Sequence, residues 1–88
     1  MMKFETKIVN ELGIHADAAV QFVQVANKYK SDIRVFHKAK EADGKNVIRL
    51  LGLRIEKNSD ITVLAEGEDE QAAIDELKNL IDHNFWEE

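Results

Sequence analysis

Apolar residues follow two different spacings along this 88-residue chain. A spacing of two residues is typical of strands that bury one face, and a spacing of three to four residues is typical of helices that bury one stripe. Each such element must cover its apolar side with another element, so the alternation predicts layers of helix on sheet. The first stripe predicts a helix from about Ala16 to Tyr29, through Ala19, Phe22, Val23, Ala26 and Tyr29.

Two further helices are predicted from the residues at their starts. Asn46 is a good N-cap, because its side-chain oxygen can accept a bond from an early helical N–H, and the apolar run 47–53 behind it predicts a two-turn helix. The acidic segment 67–70 suits the positive end of a helix macrodipole, so a last helix is predicted from there to about His83. Its apolar stripe comprises Ala73, Ile74, Leu77, Leu80 and Ile81.

Four strands are predicted from alternation of apolar and polar residues. The shared-face residues are Phe4, Thr6 and Ile8 in the first strand, Ile33 and Val35 in the second, and Ile61, Val63 and Ala65 in the fourth. A short third strand is predicted at 41–43, and the fourth strand is expected at the centre of the sheet. The element order, strand, helix, strand, strand, short helix, strand and helix, favours an α+β fold with helices on one face of an antiparallel sheet.

Length and composition exclude several classes of protein. Eighty-eight residues with 44% hydrophobic content predict one domain over residues 1–88. The absence of Cys excludes a disulfide framework, and the start of the chain lacks the apolar core of a secretory signal, so the cytoplasm is the expected location. No apolar run is long enough for membrane insertion. A net charge of −5 argues against nucleic acid or anionic lipid as the main partner.

The histidines show no pattern typical of a metal site. His15, His37 and His83 have no ligand spacing with carboxylates or with one another, so neither a metal nor a cofactor is predicted. His37 and His83 are expected on the surface. His15 differs from them because it stands immediately before the first predicted helix, within the run 10–19.

A histidine at the start of a helix indicates phosphoryl chemistry. The backbone N–H groups there bind anions, and imidazole is a nucleophile near neutral pH. The amides of Ala16, Asp17 and Ala18 are therefore predicted to hold a phosphoryl group on His15. Asp17 places a carboxylate in the same turn, where an incoming phosphate would favour positive charge.

Four segments carry a resemblance in their order and spacing: Gly13-Ile14-His15-Ala16, Phe22-Val23-Gln24, Gly44-Lys45-Asn46-Val47-Ile48 and Ala65-Glu66-Gly67-Glu68-Asp69-Glu70. They resemble the HPr family, the histidine-containing phosphocarriers of the bacterial phosphoenolpyruvate-dependent sugar phosphotransferase system. The resemblance runs nearly end to end and implies an open-faced β-sandwich of four antiparallel strands under three helices. It also implies that His15 takes a phosphoryl group from enzyme I and passes it to a sugar-specific IIA domain, as a carrier rather than an enzyme.

The chain departs from that family at two positions of the active-site motif and at one regulatory position. Asp17-Ala18 replaces the usual Arg-Pro, so a charge-assisted phosphate donor becomes a carboxylate. Two unit charges about 5 Å apart interact by roughly 3 kcal/mol at an effective dielectric of about 20, less when screened, so transfer is expected to slow roughly tenfold to hundredfold. Asn46 replaces a serine that is phosphorylated in Gram-positive relatives, which preserves the helix cap but removes the hydroxyl.

The same resemblance implies a docking surface beside His15. An apolar patch with a basic rim suits an acidic partner; it would comprise Val20, Val47, Ile48 and Leu51, with Lys45 and Arg49 on the rim. Ile48 and Leu51 are expected to be exposed, whereas Val47 could equally fill the core. Gln24 stands where family members often carry a lysine.

A second interpretation of the chain stays open. Asp17, Ala18 and Asn46 are compatible with a non-transferring HPr-like regulatory or scaffold protein that docks on phosphotransferase-system or transcriptional partners. The presence of His15 favours the carrier, because a scaffold needs no imidazole there. At the end of the chain, Phe85-Trp86 either packs back or lies free, and Glu87-Glu88 is expected to be a solvated tail.

Overall fold

Four strands and three helices make up the part of the chain that this computed structural model describes, residues 1–86. In chain order they are β1 (Met2–Lys7), α1 (Ala16–Ala26), β2 (Asp32–His37), β3 (Lys40–Asp43), α2 (Val47–Gly52), β4 (Asp60–Glu66) and α3 (Glu70–Asp82). A 3-10 turn, Asn84–Trp86, follows α3.

The strands form one antiparallel sheet in the order β1-β4-β2-β3. The fourth strand therefore lies in the interior of the sheet, as its alternation predicted. Phe4 of β1 and Val35 of β2 both pair with Val63, which is fully buried. The period-two pattern thus places the apolar residues of neighbouring strands on the same face.

The helices cover that face and leave the opposite face open. α3 contacts β1 and β4, α1 contacts α3 and α2, and α2 reaches the edge strand β3. Phe22 of α1, Leu50 of α2 and Leu77 of α3 are fully buried at the centre of the core. The open-faced arrangement of four antiparallel strands under three helices, expected from the sequence, is confirmed.

The first helix ends three residues earlier than its apolar stripe predicted. After Ala26 the chain tightens, because Tyr29 N donates to Ala26 O instead of continuing the helical ladder. The Tyr29 side chain still contributes to packing, since its hydroxyl donates to the Glu76 carboxylate on α3. The stripe therefore ends in the turn between α1 and β2, and Tyr29 links this turn to α3 by a hydrogen bond.

Asp69 precedes α3 but does not cap it. Its carboxylate accepts hydrogen bonds from Lys30 N at 2.8 Å, from Ser31 N at 3.0 Å and from the Ser31 hydroxyl. These bonds, first among them the Ser31 hydroxyl, hold the pKa of Asp69 below its usual range. Asp69 thus fastens the turn between α1 and β2, whereas Glu70 accepts from Gly67 N at the start of α3.

The expectation that His37 lies on the surface is wrong. His37 is only 6% exposed, because it ends β2 on the same face as Ile33 and Val35. Its Nδ1 lies 2.9 Å from Leu53 O, so the ring is tied to the segment after α2. Alternation carries the imidazole inward, and the carbonyl satisfies one of its nitrogens.

The end of the described chain packs back onto the fold. Phe85 is buried, whereas Trp86 is exposed and stacks on the exposed ring of His83 with centroids 4.1 Å apart. The burial of Phe85 decides between the two alternatives left open by the sequence. The expected tail Glu87-Glu88 lies outside the described residues.

Candidate functional site

His15 stands at the junction between the loop after β1 and helix α1. It is the N-cap residue, with extended backbone angles (φ −85°, ψ −176°), and its ring is half-buried. The side chain does not cap its own helix. The imidazole is therefore fixed at the helix start by its backbone and remains partly accessible to solvent.

The loop that leads to His15 is held against segment 53–56. Ile14 N donates to Ile55 O at 3.0 Å, and the Asn10 side-chain amide donates to Gly13 O at 2.6 Å. Gly13 adopts φ +62°, and a Cβ built there would lie 2.3 Å from Ile55 O. Only glycine fits both the left-handed conformation and this close approach.

A salt bridge reinforces the same loop from outside. Lys57 Nζ lies 2.9 Å from Glu11 Oε2. This hydrogen bond and the positive charge of Lys57 hold the pKa of the exposed Glu11 carboxyl below its usual range. Together with the bond from Ile14 N to Ile55 O, it connects the His15 loop to residues 55 and 57.

The first turn of α1 offers main-chain donors. The first helical hydrogen bond runs from Ala19 N to His15 O at 2.9 Å, so the amides of Ala16, Asp17 and Ala18 have no helical acceptor. These amides and the helix dipole favour an anion beside the His15 ring. Asp17 is exposed in this turn and adds negative charge to it.

An apolar surface lies across the contacting helices α1 and α2. Val20 is 42% exposed and Ile48 is 74% exposed, while Val47 and Leu51 are half-buried. Leu50, on the same helix as Ile48, is fully buried. On α2, Ile48 is therefore exposed to solvent, while Leu50 fills the core.

The two polar residues predicted to precede α2 make different contacts. Asn46 caps the helix as predicted, since its Oδ1 accepts from Arg49 N at 3.1 Å. Lys45, expected on the basic rim, instead donates its ammonium to Tyr29 O at 2.7 Å. Arg49 and Gln24 are both exposed. Of the two rim cations, Arg49 has its side chain in solvent.

Two features near His15 were missed in the sequence. Leu12, in the loop before His15, is 67% exposed, and its position between Glu11 and Gly13 in a predicted loop could have indicated this. The acceptor carbonyl of Ile55 could not have been found, because a backbone contact between distant segments leaves no residue-type signal. Segment 53–56 is nevertheless what positions the His15 loop.

Other kinds of site find no support in the described part of the chain. Within residues 1–86, no three His, Cys, Asp or Glu side chains lie close enough to hold a metal ion. The same residues contain no helix with the length and apolar character needed to cross a membrane.

Comparison with known proteins gives a consistent result over nearly the whole chain. A family model described as the PTS HPr component phosphorylation site matches residues 2–83. The chain is 36% identical over 88 residues to phosphocarrier protein HPr of Pseudomonas aeruginosa and 32% identical over 87 residues to phosphocarrier protein HPr of Cupriavidus necator. Each alignment covers 99% of this chain and 98% of the relative.

A solved structure agrees equally closely with the fold. The crystal structure of HPr-C-His from Thermoanaerobacter tengcongensis superposes with a TM-score of 0.96 at 35% sequence identity. The match covers 100% of this chain and 99% of that chain.

Proposed function

Because the chain belongs to the HPr family of phosphocarrier proteins, we propose that His15 accepts a phosphoryl group from phosphorylated enzyme I and passes it to a sugar-specific IIA domain. The observation that carries this proposal is the position of the half-buried imidazole at the first turn of α1. Three backbone amides without helical acceptors stand beside it.

The chemistry needs only the imidazole and an activated donor. A ring nitrogen forms a bond to phosphorus with its lone pair, while the bond from phosphorus to the donor breaks with its electrons on the donor. The acceptor domain then repeats the displacement on phosphorylated His15. The amides of Ala16, Asp17 and Ala18 stabilise the charged phosphoryl oxygens in both steps.

Asp17 makes this carrier slower than one with a cation in the same turn. Its carboxylate repels the incoming phosphoryl oxygens, and screening at an exposed position reduces the repulsion without removing it. The cost remains roughly tenfold to hundredfold in rate, because the backbone amides still bind the anion.

The proposed docking surface comprises Val20, Val47, Ile48 and Leu51, with Arg49 at its edge. Val20 and Ile48 expose apolar area on the two contacting helices, α1 and α2. An apolar centre beside a cation fits a partner with an acidic rim. Asn46 maintains the start of α2 without a hydroxyl that a kinase could modify.

Incubation with phosphoenolpyruvate and enzyme I, followed by intact-mass spectrometry at neutral pH, tests the proposal. We expect one added, acid-labile phosphate on the wild-type protein and none on His15→Ala. A standard HPr labelled in parallel verifies the donor. Addition of a IIA domain should then remove the label.

The opposite result identifies the alternative. If the standard HPr is labelled and this protein is not, the carrier proposal is wrong. Asp17 at the helix start is the observation that favours this second function, a non-transferring module that docks on phosphotransferase-system or transcriptional partners. Binding to enzyme I without phosphorylation, lost in Ile48→Asp, would support that module.

A further inference from the structure

A cleft lined by cations lies where the turn between β2 and β3 approaches segment 53–56. Its volume is about 360 Å³, which falls at the lower end of the range for small-molecule sites, about 300–1,000 Å³. Its polar lining residues are His37, Lys38, Lys40, Arg54 and Glu56. We call it the His37 cleft.

The cations of the cleft are unpaired, although the chain as a whole is acidic. Acidic residues outnumber basic ones by 17 to 12, and Lys28 and Lys78, for example, each contact a carboxylate within 3 Å. Within the described residues, Lys38, Lys40 and Arg54 make no ion pair or side-chain hydrogen bond. Their charges remain available for a ligand.

The backbone of the cleft supports this interpretation. Lys38 and Arg54 adopt φ +57° and +53°, a conformation that side chains other than glycine adopt at a cost. Long cationic side chains thus occupy two left-handed positions in the lining of one cleft. A purely structural turn at either position would favour glycine or asparagine.

His37 adds an oriented hydrogen-bonding group to the wall. Its Nδ1 carries a proton, because it faces Leu53 O, which can only accept. In the described part of the chain, every fully buried side-chain nitrogen or oxygen has a partner. The second ring nitrogen, Nε2, has none, so it keeps access to solvent through the cleft that the ring lines. In the neutral ring, Nε2 accepts a hydrogen bond.

The chemistry of this lining specifies one class of ligand. Three cations can bind the oxygens of a phosphate group, while neutral Nε2 and the Glu56 carboxylate can each accept a hydrogen bond from a hydroxyl group. A bare polyanion would leave Glu56 opposed by negative charge. We propose that the His37 cleft binds a small phosphorylated polyol, with its phosphate on Lys38, Lys40 and Arg54 and a hydroxyl on His37.

This site is independent of His15 phosphorylation, and its test needs no partner protein. Glycerol 3-phosphate is titrated into the full chain at pH 8, where an ordinary imidazole is neutral, and in about 0.15 M salt to screen long-range attraction. Two-dimensional ¹H–¹⁵N NMR follows the backbone amides and the His37 ring nitrogens. We expect saturable shifts centred on residues 37–40 and 53–56 and on His37 Nε2.

Glycine variants remove the cations without straining the fold. Arg54→Gly and Lys38→Gly relax left-handed backbone while deleting a charge, and each should weaken binding about tenfold. Lys3→Ala is the matched control, because Lys3 is also exposed and unpaired within the described residues but does not line the cleft. Its binding should stay within about twofold of wild type.

Ethyl phosphate isolates the contribution of the hydroxyl. It carries the same phosphate without a free hydroxyl group, so it should bind about threefold to tenfold more weakly than glycerol 3-phosphate. Equal binding of the two ligands would overturn the assignment to His37. Non-saturable shifts, or a loss in Lys3→Ala equal to that in Arg54→Gly, would overturn the site itself.

Discussion

The His15 loop and the His37 cleft surround an imidazole with opposite charges. His15 stands before three free backbone amides, with the Asp17 carboxylate in the same turn. His37 stands beside three unpaired cations, and its Nδ1 is hydrogen-bonded to a backbone carbonyl. The groups that can bind an anion are main-chain donors in the first region and side-chain cations in the second.

The difference teaches that two sources of anion affinity can be separated within one small fold. Backbone amides belong to the helix and persist when side chains change, so the His15 loop can carry an acidic residue and still offer donors. The cleft has no helix start, so its affinity for a phosphate group depends on its cations. Both regions share segment 53–56, which accepts from His37 through Leu53 O and from Ile14 through Ile55 O.

The largest effect is expected from a substitution that breaks the attachment of the His15 loop to segment 53–56. Gly13→Ala should lower the free energy of unfolding by about 3 kcal/mol, because the new Cβ meets Ile55 O and the backbone is left-handed. Gly52→Ala in α2 is the control, since no atom lies within 4 Å of its Cβ, and should be neutral or stabilising by up to about 1 kcal/mol. Urea unfolding measures both. Equal stabilities would contradict the described loop contact.

The next effect comes from replacing the acidic side chain beside His15 by a cation, the charge found beside His37. Asp17→Arg should raise the initial rate of phosphohistidine formation roughly tenfold to hundredfold, because a charge-assisted donor replaces a repelling carboxylate. Asp17→Asn removes the repulsion alone and should give a smaller increase. Rates are measured with enzyme I and phosphoenolpyruvate. An unchanged rate in both variants would show that the charge of residue 17 does not affect phosphohistidine formation and that the backbone amides alone stabilise the phosphoryl group.

A smaller effect concerns α2, which contacts α1 on one side and β3 on the other. Asn46→Ala should cost about 1 kcal/mol in unfolding free energy, because Arg49 N loses its acceptor. Asn46→Ser should stay within a few tenths of wild type, since serine also caps. Thermal and urea unfolding provide the comparison. A matching loss in the serine variant would argue against capping as the role of Asn46.

The smallest effect concerns the contact between Tyr29 and Glu76, outside both regions. The Tyr29 hydroxyl donates to Glu76, and this bond raises the pKa of Tyr29 to about 12. Tyr29 is the only tyrosine, so absorbance at alkaline pH reports it directly. Glu76→Gln should lower that pKa toward 10, while changing stability at neutral pH by about 0.5 kcal/mol. A pKa that stays unchanged would contradict the contact.

The sign of the pH dependence follows from the same pair. Because the folded-state pKa of Tyr29 is raised, its contribution to stability is complete below pH 10 and is lost as pH rises toward 12. Glu76 has the opposite dependence, since its hydrogen bond to Lys28 lowers its pKa. Its contribution is present above its ordinary pKa of 4.5 and is lost as pH falls below that value.

The sequence predicted those features that depend on local periodicity. The buried stripes of α1 and α3, the cap at Asn46 and the interior position of β4 all follow from spacings within one element. The position of His15 at a helix start was predicted for the same reason. Its role in phosphoryl transfer stays a prediction.

Features that depend on contacts between distant segments were missed or misjudged. His37 lies on the buried face that its alternation with Val35 indicates, but its polarity favoured the wrong surface assignment, because the accepting carbonyl of Leu53 is 16 residues away. The hydrogen bond of Lys45, a predicted rim residue, to Tyr29 O could not be predicted either, because the two residues are 16 positions apart. The turn after α1 is held by a hydrogen bond from Tyr29 to Glu76 of a different helix, which the stripe of α1 does not indicate.

The left-handed backbone at Lys38 and Arg54 has a consequence for engineering the protein. Glycine at either position would relieve local strain and raise the free energy of unfolding by about 1 kcal/mol. A redesign guided by thermal stability alone would therefore select glycine at both positions and erase two of the three cations of the cleft. Stability and ligand affinity are expected to trade against each other at these two residues, as in many binding sites.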